Sequence, residues 1–199
     1  MIVMIDYDAG NTRSVMNALD RLDVDYLLTD DKDKITSADK VIFPGVGHAG
    51  AAMEALGQKG LVETIKSLTQ PVLGICVGMQ LMAESSEEGD TSCLGIVPGT
   101  VKRFDSEQGS KVPHMGWNQI SKPIDDVLFT SVNDDSHLYF VHSYYLPSSE
   151  LDIASCHYQV SFAAAIKKDN FWGVQFHPEK SGKIGAQIIA NFVTKNLTT

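Results

Sequence analysis

The chain has 199 residues, with 16 Lys+Arg against 25 Asp+Glu and a formal net charge of −9. Apolar residues make up 43% and charged residues 21%, the balance of an ordinary globular chain. This excludes disorder and fibrous structure and allows a core that folds without disulfide or metal staples. The acidic surplus disfavours phosphate backbones and anionic lipid, so neither nucleic acid nor a membrane is an expected partner. Three cysteines, Cys76, Cys93 and Cys156, are an odd number in a chain too large for a disulfide scaffold. They point to a reducing compartment, and a cytoplasmic location is expected. The start lacks the basic region of a signal peptide, and no apolar run approaches the ~18 residues of a membrane span.

In chain order, residues 2–5 form a short apolar run. Val15, Met16, Leu19 and Leu22 then recur at helical spacing, which makes the first βα unit. Residues 24–28 and 40–43 are further strands, the second closed by Pro44-Gly45-Val46-Gly47. Helical patterns occupy 49–56 and 61–68. A buried strand over 72–75 passes through Cys76 into a helix over 77–83 without an intervening turn. From residue 100 the texture becomes β-rich, with strands expected at 101–104, 117–120, 138–145, 153–157, 162–166 and 171–176, and a short helix at 126–129. Gly185, Ile188, Ile189, Phe192 and Val193 share one face of a final helix running to about residue 196. The polar stretches 85–92 and 105–111 read as surface excursions. The pattern predicts one α/β domain over residues 1–199: an open, mostly parallel sheet with helices on both faces and added antiparallel strands in the C-terminal half.

The most informative segment is Gly74-Ile75-Cys76-Val77-Gly78. A strand-to-helix elbow forces its central residue into a strained backbone conformation, and the flanking glycines leave room for the turn and for close helix packing. The thiol then projects at a helix N-terminus, where partial positive charge favours the nucleophilic thiolate. A nucleophile needs a base, and Phe176-His177-Pro178-Glu179 supplies one with its own orienting acid after a predicted strand. In an extended segment, residues two apart point to the same side, so Glu179 can bond one ring nitrogen of His177 while the other faces Cys76. Acyl transfer also needs backbone N–H donors at the developing oxyanion. The loop at Val46 and Gly47 can supply one beside that of Val77. This loop lacks the Lys-Ser/Thr of a P-loop and the spacing of a dinucleotide fingerprint, and no cofactor is expected. The other histidines lack zinc-site spacing, so no metal is expected either, and Cys93 and Cys156 read as inert thiols.

On these motifs the sequence resembles the class I (triad) glutamine amidotransferases, a flavodoxin-like family whose elbow reads G-I-C-x-G-x-Q and whose His-x-Glu follows near the C-terminus. Pro44–Gly47, Gly78-Met79-Gln80, Glu84–Gly89, Pro113-His114-Met115-Gly116-Trp117-Asn118, Val141-His142-Ser143-Tyr144 and Gln175 to Ser181 look like the branch of glutaminase subunits of imidazole glycerol phosphate synthase. The resemblance spans nearly the whole chain. It implies hydrolysis of L-glutamine to glutamate and ammonia, with Cys76 as nucleophile, His177 as general base and acid and Glu179 as its orienter. It also implies glutamine binding by Gln80, Glu88, Ser143 and Tyr144, and transfer of ammonia to a separate (βα)₈-barrel cyclase of histidine biosynthesis, forming a heterodimer. Asn11, Trp117 and Lys180 match the partner-facing positions; an aromatic such as Trp117 suits an interface anchor, although beside a β segment it also suits a core. Tyr7-Asp8-Ala9-Gly10-Asn11 departs from the Y-G-M-G-N common in relatives. Two rivals stay open: a class I glutaminase or γ-glutamyl hydrolase serving another reaction, and a non-catalytic α/β binding module.

Overall fold

The first strand forms where the sequence is apolar without a break. β1 (Ile2–Ile5) is buried at every position, as a central parallel strand covered on both faces must be. The computed structural model describes residues 1–8, 12–107, 111–121 and 124–197. α1 (Thr12–Arg21) buries Val15, Ala18 and Leu19. It is followed by β2 (Tyr26–Thr29), α2 (Lys32–Thr36), β3 (Lys40–Gly45), α3 (Ala49–Gln58), α4 (Val62–Lys66), β4 (Val72–Cys76) and α5 (Val77–Gln80). Hydrophobic periodicity does not reveal α2. Its signal is Asp31, whose carboxylate accepts from the N–H groups of Asp33 and Lys34, a capping pattern that nucleates one turn. The helix expected over 77–83 stops at Gln80, and the N–H groups of Met82 and Ala83 bond three residues back, to Met79 and Gln80, in the tighter turn common at helix ends.

The second half holds β5 (Ser85–Ser86), β6 (Thr91–Ser92), β7 (Thr100–Arg103), β8 (His114–Ser121), β9 (His137–His142), β10 (Tyr144–Tyr145), β11 (Asp152–His157), β12 (Ser161–Lys168), β13 (Phe171–Val174) and α6 (Gly182–Thr194). Short 3₁₀ turns lie at Val127–Phe129 and Pro178–Lys180. The main sheet has the order β2-β1-β3-β4-β13-β12-β11-β8-β9. Its first five strands run parallel, and the rest are added antiparallel. Right-handed crossovers from β1 outward to β2, and back across to β3 and β4, place α1 on one face and α2 to α4 on the other. Accordingly α1 touches α6, and α4 touches α2 and α3.

Two further sequence expectations need correction. The stretch 85–92 is no mere excursion, because β5 and β6 join β7 and β10 in a second, four-stranded sheet. Its polar composition hides this: Glu84 Oε2 accepts from Gly99 N–H at 3.0 Å and Glu87 Oε2 from Arg103 N–H at 2.9 Å, so polar side chains bind the sheet together without an apolar signature. The strand expected over 138–145 also breaks at Ser143, with β9 in the main sheet and β10 in the small one. The main sheet coils until its last strand, β9, meets the chain beyond β13: the N–H of His177 donates to Tyr139 O at 2.9 Å. Among the described residues no helix is long and apolar enough to cross a membrane.

Candidate active site

β3 and β4 run parallel with Gly45 opposite Cys76, so the Val46–Gly47 loop and the cysteine elbow leave the sheet side by side. Cys76 has φ 53° and ψ −109°, a strained left-handed conformation for a side-chain-bearing residue. The glycine at 78 is demanded by contact. A Cβ there would lie 2.0 Å from Phe43 O, and one at Gly74 would lie 2.9 Å from the Gly78 backbone. α5 therefore packs backbone to backbone on β3 and β4, and the elbow can form only with those glycines. Gly47 at φ +95° supplies the second turn that glycine makes cheap. Below it, the buried Tyr7 hydroxyl donates to Pro44 O at 2.7 Å and ties this loop to the end of β1.

His177 and Glu179 lie on the arm after β13. His177 Nδ1 and Glu179 Oε1 are 2.8 Å apart, with side chains only 2% and 3% exposed. Ser181 fixes the arm: its hydroxyl donates to His177 O at 2.7 Å and accepts from Tyr139 N–H at 2.9 Å. Among the described residues two buried side-chain polar atoms have no hydrogen-bond partner, His177 Nε2 and Glu179 Oε2. Unsatisfied groups of this kind are rare outside functional sites. Burial opposes charge on His177, but the Cys76 sulfur and the Glu179 carboxylate outweigh it and hold the imidazole up to about 9. An imidazole held in this way beside a sulfur suits a base that exchanges a proton with a nucleophile. The other two thiols lie in apolar surroundings, and burial pushes Cys93 to about 11 and Cys156 to about 12.

Val46, Gly47, Cys76, Val77, Gln80, Glu88, Ser143, Tyr144, His177 and Lys180 all line one cavity of ≈ 390 Å³, joined by Pro113, Val141 and His142. Glu179 stands behind His177 rather than on the cavity wall. Glu88 does double duty: its Oε2 accepts from Ala49 N–H at 2.8 Å at the start of α3, leaving its other oxygen for a ligand. Gln80 Nε2 donates to Tyr144 O and to Gln175 Oε1, both at 2.8 Å, so only its carbonyl oxygen remains. Gln175, fully buried, also donates from Nε2 to Cys76 Sγ at 3.7 Å; sequence reasoning gives it no role, although it sits two residues before His177. Among the described residues no cluster of His, Cys, Asp and Glu could hold a metal ion.

Trp117 lies on β8, is 56% exposed beside Met115 at 63%, and meets the Tyr139 ring edge-on at 6.1 Å. Asp8 takes φ 62°, the conformation for which the relatives' glycine is suited, and pairs with Lys59 at 3.0 Å. Asn11 lies outside the described residues.

The class-I glutamine amidotransferase family model matches residues 3–196. An imidazole glycerol phosphate synthase subunit HisH of Bacteroides fragilis (strain YCH46) is 53% identical over 193 residues, covering 96% of this chain and 98% of the relative. A subunit HisH 2 of Legionella pneumophila (strain Paris) is 45% identical over 198 residues and 100% of both chains. The crystal structure of a glutamine amidotransferase superposes with a TM-score of 0.74 at 15% identity over 97% of both chains. The structure of PurLQS from Thermotoga maritima gives 0.68 at 18% identity, covering 96% of both chains. The two structures speak for the fold alone; the family match and the close relatives go further. The chain belongs to the class-I glutamine amidotransferases, in the branch of the HisH subunits of imidazole glycerol phosphate synthase.

Proposed function

We propose that this chain hydrolyses the side-chain amide of L-glutamine and delivers the ammonia to a cyclase partner, as the glutaminase subunit of a cytoplasmic imidazole glycerol phosphate synthase. The observation that carries the reading is the buried His177: one ring nitrogen bonded to Glu179, the other without a partner, its charge supported by the sulfur of a positive-φ cysteine. Cys76 gives its proton to His177 Nε2, and the thiolate attacks the amide carbon. The oxyanion that forms takes hydrogen bonds from backbone N–H groups at Val46 or Gly47 and at Val77. His177 then returns the proton to the leaving nitrogen, ammonia departs, and a glutamyl thioester remains. A water that gives its proton to His177 cleaves the thioester, and the proton returns to the sulfur as glutamate leaves. Glu179 holds the ring and supports its charge throughout. The free oxygens of Gln80 and Glu88 suit the α-ammonium of glutamine, and the Ser143–Tyr144 backbone flanks its α-carboxylate.

Ammonia released into neutral water is protonated and loses its nucleophilic lone pair, so transfer needs a path that excludes solvent. In this reading residues 1–199 form one amidotransferase domain, and the acceptor site lies in a (βα)₈-barrel cyclase docked against Asn11, Trp117 and Lys180. The test is glutamate release from glutamine by the chain, alone and with a candidate cyclase and its nucleotide substrate. Hydrolysis lost in Cys76→Ser, and cyclisation that needs both proteins with glutamine but the partner alone with ammonium salt, support the reading. A chain that converts the nucleotide alone contradicts it.

A further inference from the structure

Gln175 is fully buried and uses both ends of its amide. Oε1 accepts from Gln80 Nε2 at 2.8 Å, and Nε2 donates to Cys76 Sγ at 3.7 Å. The orientation of an amide is normally ambiguous, but here an obligate acceptor settles it. Tyr144 O can only accept, and it receives Gln80 Nε2 at 2.8 Å and His142 Nδ1 at 2.7 Å. Gln80 must therefore turn its NH₂ toward Tyr144 and Gln175. Gln175 must answer with its oxygen, which leaves its own NH₂ for the sulfur.

The same logic runs the other way from Tyr144. With the proton on His142 Nδ1, its Nε2 accepts from His114 Nδ1 at 3.0 Å, and His114 Nε2 accepts from Asn118 Nδ2 at 3.2 Å. Asn118 Nδ2 also donates to His157 O at 3.0 Å. Burial lowers His114 to about 4 and His142 to about 3, so both rings stay neutral and the chain keeps one polarity near neutral pH.

We propose that Gln175 is a further catalytic residue of the glutaminase reaction, donating a hydrogen bond that stabilises and aims the Cys76 thiolate, with its amide held in the donating orientation by Gln80 and the doubly bonded Tyr144 carbonyl. This rests on the reading of Cys76 as nucleophile. Cys76 Sγ as a thiol also reaches Val141 O at 4.0 Å, but toward Gln175 it is the acceptor and gains most when it is anionic, so this contact favours the attacking form and weakens once the thioester has formed. Gln80 and His142 act as positioning residues. The titratable groups around the thiol are Tyr7, Glu88, His142, Tyr144, His177 and Lys180, and His177 alone bears a raised imidazole there.

The test is the pH profile of Cys76 alkylation by iodoacetamide, read by mass spectrometry so that Cys93 and Cys156 are scored separately. It is run on the wild-type chain and on Gln175→Leu, Gln175→Glu and Gln80→Met. Alkylation needs no bound glutamine, so loss of substrate contacts cannot imitate the effect. In Gln175→Leu the midpoint should rise by about one pH unit, with about tenfold slower alkylation at neutral pH. Gln175→Glu, which keeps the shape but turns an oxygen to the sulfur, should shift the profile the same way if the leucine variant does not fold. Gln80→Met, which frees the Gln175 amide to rotate, should shift it by less. Profiles in both Gln175 variants that match wild type overturn the proposal, and an unshifted Gln80→Met overturns the orienting chain. Glutamine hydrolysis that survives Cys76→Ser would instead bring down the nucleophile reading itself.

Discussion

The parallel and antiparallel halves of the sheet position the proposed nucleophile and its proposed base by different means. In the parallel half, sterics place the thiol: Gly78 sits where a Cβ would be 2.0 Å from Phe43 O, and Cys76 is left at φ 53°. In the antiparallel half, hydrogen bonds from distant strands place His177. Tyr139 of β9 holds His177 N–H, Ala164 of β12 holds Gln175 N–H, and Ser181 closes the arm. Steric placement is all or none, because packed backbone cannot yield by a fraction. Polar placement is graded, because each bond contributes separately. The nucleophile should therefore fail abruptly on mutation of its supports, and the base should weaken by steps.

The largest effects separate the two modes at the reacting groups. His177→Ala should cost about a thousandfold or more in kcat, and Glu179→Gln, which keeps the shape without the charge, nearly as much. The pH profile sharpens this. His177 is held up to about 9, so activity should decline as pH rises through that region and the imidazolium proton needed by the leaving ammonia is lost. In Glu179→Gln the decline should move to lower pH, since burial then meets less opposition. The same raised value means that the ionised ring stabilises the fold fully below its ordinary 6.5, with the contribution lost by about 9.

Gly78→Ala is the steric counterpart. It should destabilise the chain by about 3 kcal/mol in urea titration and abolish glutamate release even where a folded fraction remains; a stable, active variant would dissolve the contrast between the halves. Trp117→Ala should change stability by less than about 0.5 kcal/mol because the ring is 56% exposed. It should nevertheless weaken binding of the proposed cyclase partner by about 2 kcal/mol, seen by calorimetry. The smallest effect lies far from the site. Lys40 Nζ donates to the carbonyls of Phe192, Val193 and Lys195 at the end of α6, so Lys40→Met should lose about 1 kcal/mol of stability with kcat unchanged.

The same contrast explains what is legible in the sequence. The elbow is local, so Gly74, Cys76 and Gly78 betray it within five residues, and the unbroken apolar strands β1, β3 and β4 announce the parallel sheet. His177 and Glu179 are readable because they lie two apart on one extended segment. Glu88 and Ser143–Tyr144 are reached only through the family resemblance, since loop carboxylates and strand backbones carry no spacing signal of their own. Gln175 and the His114–His142 pair escape because their roles depend on contacts 28 to 99 residues apart. β5 and β6 of the small sheet escape because they are polar and only two residues long.

The central claim, that Cys76 is the nucleophile of a glutaminase, is tested most directly by exposing the chain to a diazoketone analogue of glutamine and locating the adduct by peptide mass spectrometry. The account predicts a single adduct on Cys76, protection by glutamine, and neither adduct nor glutamate release in Cys76→Ser. An adduct on Cys93 or Cys156 with Cys76 untouched, or glutamate release at the wild-type rate from Cys76→Ser, would contradict it.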